Sequence, residues 1–222
     1  FGYYLTGKSP FKDVYLHGHV RALDGKKMSK SLGNVINPEE YMEEFGVDAL
    51  RMGLIAGTAN GKDFNFPRDK VVGYRNFANK IWNIARFMNM MVEDHDGEIP
   101  FYTSEMNITE EDKEILNGLD SLITQVNSSL EKYRFADAGE AIYQFVWHEL
   151  ADKYIESVKD RDDKDVALSV LRHIFLNCLK LLHPFMPFVT EEIWQNIPRK
   201  YDEPLIVSDW PQESKKPADL TK

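Results

Sequence analysis

Tyr74-Arg75-Asn76-Phe77-Ala78-Asn79-Lys80-Ile81-Trp82-Asn83 is the centre of a pattern in which apolar residues recur every three or four positions: Tyr74, Phe77, Ile81, Ala85, Met88 and Val92. That is the period of a helix with one buried face. It predicts a helix from Pro67 to about Val92. Downstream the pattern repeats. Thr109-Glu110-Glu111-Asp112 opens a helix to about Lys132, and further helices are expected over 135–158, 166–182 and 188–197. Asp94 to Ser104, with Gly97 and Pro100, is a linker. Several amphipathic helices on short connections make an antiparallel bundle.

Upstream the pattern changes. Val14-Tyr15-Leu16-His17-Gly18-His19-Val20 follows a turn at Lys12-Asp13 and is rich in strand-favouring residues, so a buried strand is expected. Asn37-Pro38-Glu39-Glu40 combines a cap, a proline at the first helical position and acids in the first turn. The helix it starts should end at Phe45-Gly46. A second short helix, Val47 to about Ala56, would pack through Ala49, Leu50, Gly53 and Leu54, and Gly57 to Pro67 reads as a polar connection. The fold class is therefore mostly α, an α/β piece followed by a helical bundle. Domains are expected at 1–66 and 67–205, with a tail at 206–222 whose last dozen residues are polar and frayed.

The 222 residues, 43% of them apolar, suffice for one large or two modest domains. No run approaches the roughly 20 apolar residues of a membrane span. Cys178 is the one cysteine, which excludes an internal disulfide and suits a reducing, cytoplasmic setting. The first residue is not methionine, and Phe1-Gly2-Tyr3-Tyr4 shows no targeting pattern, so the start reads as a cut through a longer protein. Net charge is −9, but residues 1–94 carry 8 Lys and 5 Arg against 11 acids, leaving the remainder at −11. A polyanion should meet the first part and the helix that ends near Asp94.

Between strand and helix lies Gly25-Lys26-Lys27-Met28-Ser29-Lys30-Ser31-Leu32-Gly33-Asn34. Two lysines and two serines fall within five residues, bracketed by glycines. Such a loop can close over a polyphosphate, and the ammonium groups can follow charge as it develops. The spacing alone fits a solvated surface loop as well, since no P-loop pattern accompanies it.

The letters of Lys27-Met28-Ser29-Lys30-Ser31 resemble the second signature of the class Ia aminoacyl-tRNA synthetases, most closely the valine-specific branch. Gly46-Val47-Asp48-Ala49-Leu50-Arg51, Gly61-Lys62-Asp63-Phe64-Asn65-Phe66 and the 74–83 segment are similar to stretches of the same family, as is Leu182 to Trp194. The resemblance covers nearly all of residues 1–212. It implies a partial Rossmann-type remnant carrying the signature loop, then the family's anticodon-binding bundle. Leu16-His17-Gly18-His19 looks like the family's first signature, but it stands where the family has the strand before its second. The first signature, the editing insertion, most of the amino-acid pocket and a coiled-coil arm are not found in this sequence.

That resemblance implies ATP-dependent activation of valine and its transfer to tRNA. Lys27 and Lys30 would be catalytic, Lys30 the principal stabiliser of the departing pyrophosphate. His17, Gly18, Met28, Ser29 and Ser31 would join them at the nucleotide. ATP would carry Mg2+ on its own phosphate oxygens, with no tightly bound metal; His95, His148, His173 and His183 are scattered, and His148 and His173 read as bundle residues with one hydrogen bond each. On the 67–92 helix, Arg75, Asn79, Trp82, Asn83 and Arg86 fall opposite the apolar face, a platform for unstacked RNA bases. Asn83, Arg86 and Phe87 lead that set, against the reading that Trp82 and Phe87 are core. Asp48 and Arg51 are taken as orienting residues, and Phe185, Met186, Phe188 and Trp194 as core. The expected partners are the tRNA anticodon stem-loop, ATP, and valine through a catalytic half lying elsewhere, with no membrane and a monomeric state. The fragment alone should not aminoacylate. Alternatives are an isoleucine-specific or other class Ia enzyme, and a stand-alone RNA-binding helical module.

Overall fold

A computed structural model describes residues 1–58, 61–95, 97–199 and 202–213. The chain divides into two compact units. One holds Phe1–Ile36 and the described part of Thr58–Phe66; the other holds Asn37–Gly57 and the described residues from Pro67 onward. Residues 37–57, expected beside the signature loop, thus pack with the bundle.

The first unit opens with a short helix, α1 (Gly2–Thr6), and contains a two-stranded parallel sheet. Strand β1 is Val20–Arg21 and β2 is Phe64–Asn65, registered Val20 to Phe64 and Arg21 to Asn65. The strand expected over 14–20 is thereby reduced to its last residue plus Arg21. Val14 and Leu16 are 70% and 75% exposed, so the expected burial fails there. Their backbone has no ladder partner among the described residues, and parallel strands persist only with neighbours and covered faces. Conversely, the supposedly irregular Asp63–Phe66 supplies β2. Its Phe64 N–H donates to His19 O at 3.1 Å, and the buried Phe66 donates to Arg21 O at 3.4 Å.

In the second unit α2 (Pro38–Phe45) starts as its sequence requires. Asn37 Oδ1 accepts from the Glu39 N–H at 3.1 Å, and Pro38 occupies the first position. Gly46, at φ 88°, ends it and opens α3 (Val47–Ile55). Ala49, Leu50 and Gly53 are buried as expected, but Leu54 is 38% exposed and Met52 takes the core position instead. Helix α4 runs Arg68–Glu93, burying Phe77, Ile81, Ala85 and Met88. Helix α5 (Glu110–Glu131) begins with a complete capping box: the Thr109 hydroxyl accepts from the Asp112 N–H, and the Asp112 carboxylate accepts from the Thr109 N–H.

The helix expected over 135–158 is continuous but changes winding. It is α6 (Phe135–Gln144), then ten residues of π-helix (Phe145–Tyr154), then α7 (Ile155–Lys159). Val146, Ala151 and Ile155 are buried at spacings of five and four, which the wider turn brings onto one side. Helix α8 (Lys164–Leu182) crosses the centre of the bundle, with Leu168, Leu171, Ile174, Phe175 and Leu179 buried. Helix α9 (Pro187–Gln195) follows, then a 3-10 turn at Leu205–Val207. Trp210 packs against the core and donates from Nε1 to Asn127 Oδ1 at 2.7 Å, so the start of the tail is anchored; of the last dozen residues, expected to fray, 214–222 lie outside the described residues. Burying each such Leu, Ile or Phe is worth about 1.5–3 kcal/mol, and this core is the unit's main source of stability.

Candidate functional site

Two constellations follow from the sequence, one in each unit. In the first unit, Arg21 and Lys27 form an antiparallel bridge, and the Ala22 N–H donates to Lys26 O at 3.1 Å. The chain therefore folds back on itself before the signature loop. Asn34 ties the loop's two ends: its Oδ1 accepts from the Ser29 N–H at 2.9 Å, and its Nδ2 donates to Lys27 O at 3.3 Å. Lys30–Leu32 form one 3-10 turn, closed by Gly33 at φ 63°, where a side chain would be strained. Ser29 and Ser31 hydroxyls lie 2.7 Å apart. Lys27 and Lys30 are exposed, and neither ammonium group has a partner among the described residues. Met28 is half-buried. The loop is an ordered backbone that presents two solvated cations and a hydroxyl pair.

His17 and Gly18 stand on the approach to that loop. His17 is exposed, with Nδ1 2.8 Å from Gly18 O. Gly18 is there because backbone passes against it: a Cβ would sit 1.9 Å from Lys62 O. Asp63, which sequence reasoning left in a connection, is the hub of this unit. Its carboxylate accepts from the His19 N–H at 2.8 Å and from Arg21 Nε at 2.7 Å. Those two hydrogen bonds hold its carboxyl below the ordinary range. A carboxylate opposite an arginine across two short extended segments was the available signal.

Along α4 in the second unit, Asn79, Asn83 and Arg86 are exposed and Trp82 is 41% exposed. These four side chains have no hydrogen-bond partner among the described residues. Arg75 is half-buried, its guanidinium 5.8 Å from the Phe45 ring centroid. Phe87 departs from the expected set: it packs against the core beside Ile84 and Met88. The helix phase explains the split, since Phe87 is three residues from Ile84 and turns with it. Trp82, offered as core in the competing reading, faces water.

Asp48 and Arg51 orient helices. Asp48 accepts from the Phe188 and Val189 N–H groups at 3.2 and 2.6 Å, capping α9 from α3. Arg51 donates to Phe185 O and Pro184 O at 3.2 and 3.0 Å. His183 Nδ1 lies 2.9 Å from Thr190 Oγ1. His173 packs on Tyr102 with centroids 4.8 Å apart, and burial pushes its pKa down. His148, read as a bundle residue with one hydrogen bond, is exposed and lies 3.4 Å from Asp152 on the same helix. Phe185, Met186 and Trp194 are core, but Phe188 is 63% exposed, because it lies about half a turn from the inward Thr190 and Ile193. Among the described residues no group of three His, Cys, Asp or Glu side chains could hold a metal ion, and no helix is long and apolar enough to cross a membrane.

Residues 112–222 match the family described as anticodon-binding domain of tRNA ligase, and residues 1–67 match tRNA synthetases class I (I, L, M and V). The chain belongs to the class I tRNA synthetases. Valine–tRNA ligases of Bacillus cereus and Geobacillus kaustophilus are each 44% identical to it, over 216 and 217 residues and 95% of this chain. The chain spans 24% of the length of those relatives. A ternary complex of the Agrobacterium radiobacter K84 agnB2 LeuRS with tRNA and LeuAMS matches with a TM-score of 0.74 at 24% identity, covering 96% of this chain and 26% of that one. Mycobacterium tuberculosis methionyl-tRNA synthetase in complex with methionyl-adenylate matches with a TM-score of 0.65 at 25% identity, over 81% and 37%. The synthetase fold thus extends across both of this chain's units; the first family match ends at the start of α4 and the second begins in the first turn of α5.

Proposed function

We propose that this chain is the part of a valine–tRNA ligase that brings the signature loop to ATP and a helical surface to the tRNA anticodon. The observation that carries the reading is the pair of unpartnered ammonium groups, Lys27 and Lys30, on a loop held in shape by Asn34. It is supported by relatives named valine–tRNA ligases across 95% of the chain.

In the activation step the valine carboxylate attacks the α-phosphorus of ATP, and the bond to pyrophosphate breaks. Negative charge grows on the leaving group. Lys30 stabilises that charge, Lys27 holds the phosphates, and the Ser29 and Ser31 hydroxyls donate to phosphate oxygens when the pair opens. Met28 is the half-buried anchor between them, and His17 and Gly18 line the approach to the nucleotide. Mg2+ rides on the phosphate oxygens. The aminoacyl group then passes to the tRNA 3′ end, while Arg75, Asn79, Trp82, Asn83 and Arg86 meet the anticodon stem-loop. The reducing interior of the cell suits the single, fully buried Cys178.

The test is made in the intact ligase that contains this segment. Lys30→Ala should slow ATP–pyrophosphate exchange by roughly 10²–10³, the usual cost of one preorganised donor. An unchanged rate would remove Lys30 from the reaction. Arg86→Glu should weaken tRNA binding and flatten its dependence on salt, because one phosphate contact is lost; unchanged affinity and slope would move the tRNA surface off α4.

A further inference from the structure

The second unit contains a cavity of about 580 Å³ that neither constellation uses. It lies between the linker at Phe101–Thr103, the side of α8 that carries Arg172, His173 and Leu176, and the segment after α9. Its size falls within the range of small-ligand sites.

Arg172 makes this cavity unusual. The residue is 5% exposed, yet it has no carboxylate partner among the described residues. Its Nη2 donates to the carbonyl oxygens of Ile99 and Pro100 at 3.0 and 2.5 Å, and its guanidinium lies 4.1 Å from the Phe101 ring centroid. Buried charges are ordinarily paired, because an uncompensated one carries a large desolvation cost. Burial pushes its pKa down. A second cation, Lys180, lines the same cavity, with Nζ donating to Asp209 O at 2.9 Å and lying 5.7 Å from the Trp194 ring centroid. Glu203 and Asp209 also border the space, and their field falls on Lys180. The Arg172 end is left as a buried positive site beside two aromatic rings, Phe101 (44% exposed) and Tyr102.

We propose that this cavity binds a small anion of the nucleoside-monophosphate class, its phosphate against Arg172 and its planar base along Phe101, Tyr102 and Leu176. With Nη2 committed to the two carbonyls, Nε and Nη1 make no hydrogen bond among the described residues and are left to donate to a phosphate, and ring faces accept a base without regard to its identity. The proposal does not rest on the role of the signature loop.

The experiment titrates the whole chain with AMP, adenosine and inorganic phosphate, and separately with a single-stranded RNA hexamer. Backbone amide shifts at residues 99–103 and 172–180 are read by NMR. AMP should move both sets of amides and bind at least tenfold more tightly than adenosine or phosphate alone. Arg172→Met should weaken AMP by about tenfold or more, the ordinary weight of a buried charge-assisted contact. Folding of that variant is checked by the fully buried Cys178, which stays unreactive to a thiol reagent only in a packed bundle. Should Arg172→Met fail that check, Phe101→Ala decides, because loss of the stacking wall must also weaken AMP. Shifts from the hexamer alone would support the same chemistry delivered on an RNA strand. The proposal is overturned if neither AMP nor the hexamer moves these amides at about 10 mM and 1 mM, weak enough to report even millimolar affinity. It also falls if adenosine binds as well as AMP, or if a folded Arg172→Met, or else Phe101→Ala, binds AMP unchanged.

Discussion

Gly18 shows how much one atom decides in the first unit. The Lys62 carbonyl passes so close that an added Cβ would stand 1.9 Å from its oxygen, a separation no pair of atoms tolerates. Backbone cannot yield as a flexible side chain would. Gly18→Ala must therefore push the 61–66 segment away, and the β1–β2 pairing with it. Overpacking of this kind costs about 1–3 kcal/mol. Amide exchange at Phe64 and Phe66, whose N–H groups donate to His19 O and Arg21 O, should accelerate by about tenfold or more. Unchanged exchange at both amides would mean that this contact is not what confines position 18 to glycine. In the sequence Gly18 is visible only as half of a tempting His-Gly-His string; the carbonyl that explains it lies 44 residues away and leaves no local trace.

Helices announce themselves where their ends carry chemistry. Asn37-Pro38 and Thr109 to Asp112 were legible because a cap is a statement about the next three residues. The long helix was legible because its apolar period is regular over 26 residues. Two-residue strands were not, since Phe64–Asn65 has too few positions to show alternation. Nor was the π-helix at 145–154, whose inward residues at spacings of four and five blur into an ordinary helical stripe. The ion pairs that lock these elements were equally silent. Asp112 on α5 is fully buried, accepts from the Tyr154 hydroxyl at 2.6 Å, and takes Arg161 Nη1 and Nη2 at 2.6 and 3.0 Å. Burial pushes its carboxyl up, but Arg161, Tyr154 and the Thr109 amide together outweigh that and hold it below the ordinary range. A carboxyl depressed in the folded state contributes stability above its unfolded pKa and loses it as pH falls through the folded one. Arg161 also donates from Nε and Nη2 to Asp163 at 2.8 and 2.6 Å and so keeps a partner; losing the charge-assisted bonds to Asp112 in Asp112→Asn should cost about 1.5–3 kcal/mol near pH 7. The gap between variant and parent should begin to narrow below about pH 4, where the carboxyl of the unfolded parent takes up its proton, and go on narrowing as pH falls toward the lower folded value. Denaturant melts at pH 7 and pH 3 measure both; a gap that stays constant across that interval would separate the pair from the acid response.

At the scale of the whole molecule the chain is interleaved: the first unit is entered twice, and the second owns the stretch in between. Residues 37–57 bring to the bundle its two longest-range polar ties. Asp48 caps α9 about 140 residues downstream, and Arg51 holds the carbonyls that join α8 to α9. The continuous core, from Met52 through Phe77 and Leu171 to Trp194, belongs to this unit alone. In the first unit Ala22 and Phe66 are the buried apolar residues, while Tyr3, Tyr4, Leu5, Phe11, Val14 and Leu16 are exposed. Stability follows buried apolar area, so the bundle should carry its own. A chain that begins at Asn37 retains the cap of α2, since Asn37 itself supplies the acceptor for Glu39. It loses β1, and β2 is left without its ladder. Such a chain should keep one cooperative thermal transition, with a Tm within about 2–4 °C of the full chain, the shift that 1 kcal/mol gives a domain of this size. Cys178 should remain unreactive until that transition, because it lies at the centre of the retained core. A broad, non-cooperative melt, or a thiol that reacts in the cold, would show that the residues before Asn37 are part of what holds the bundle together.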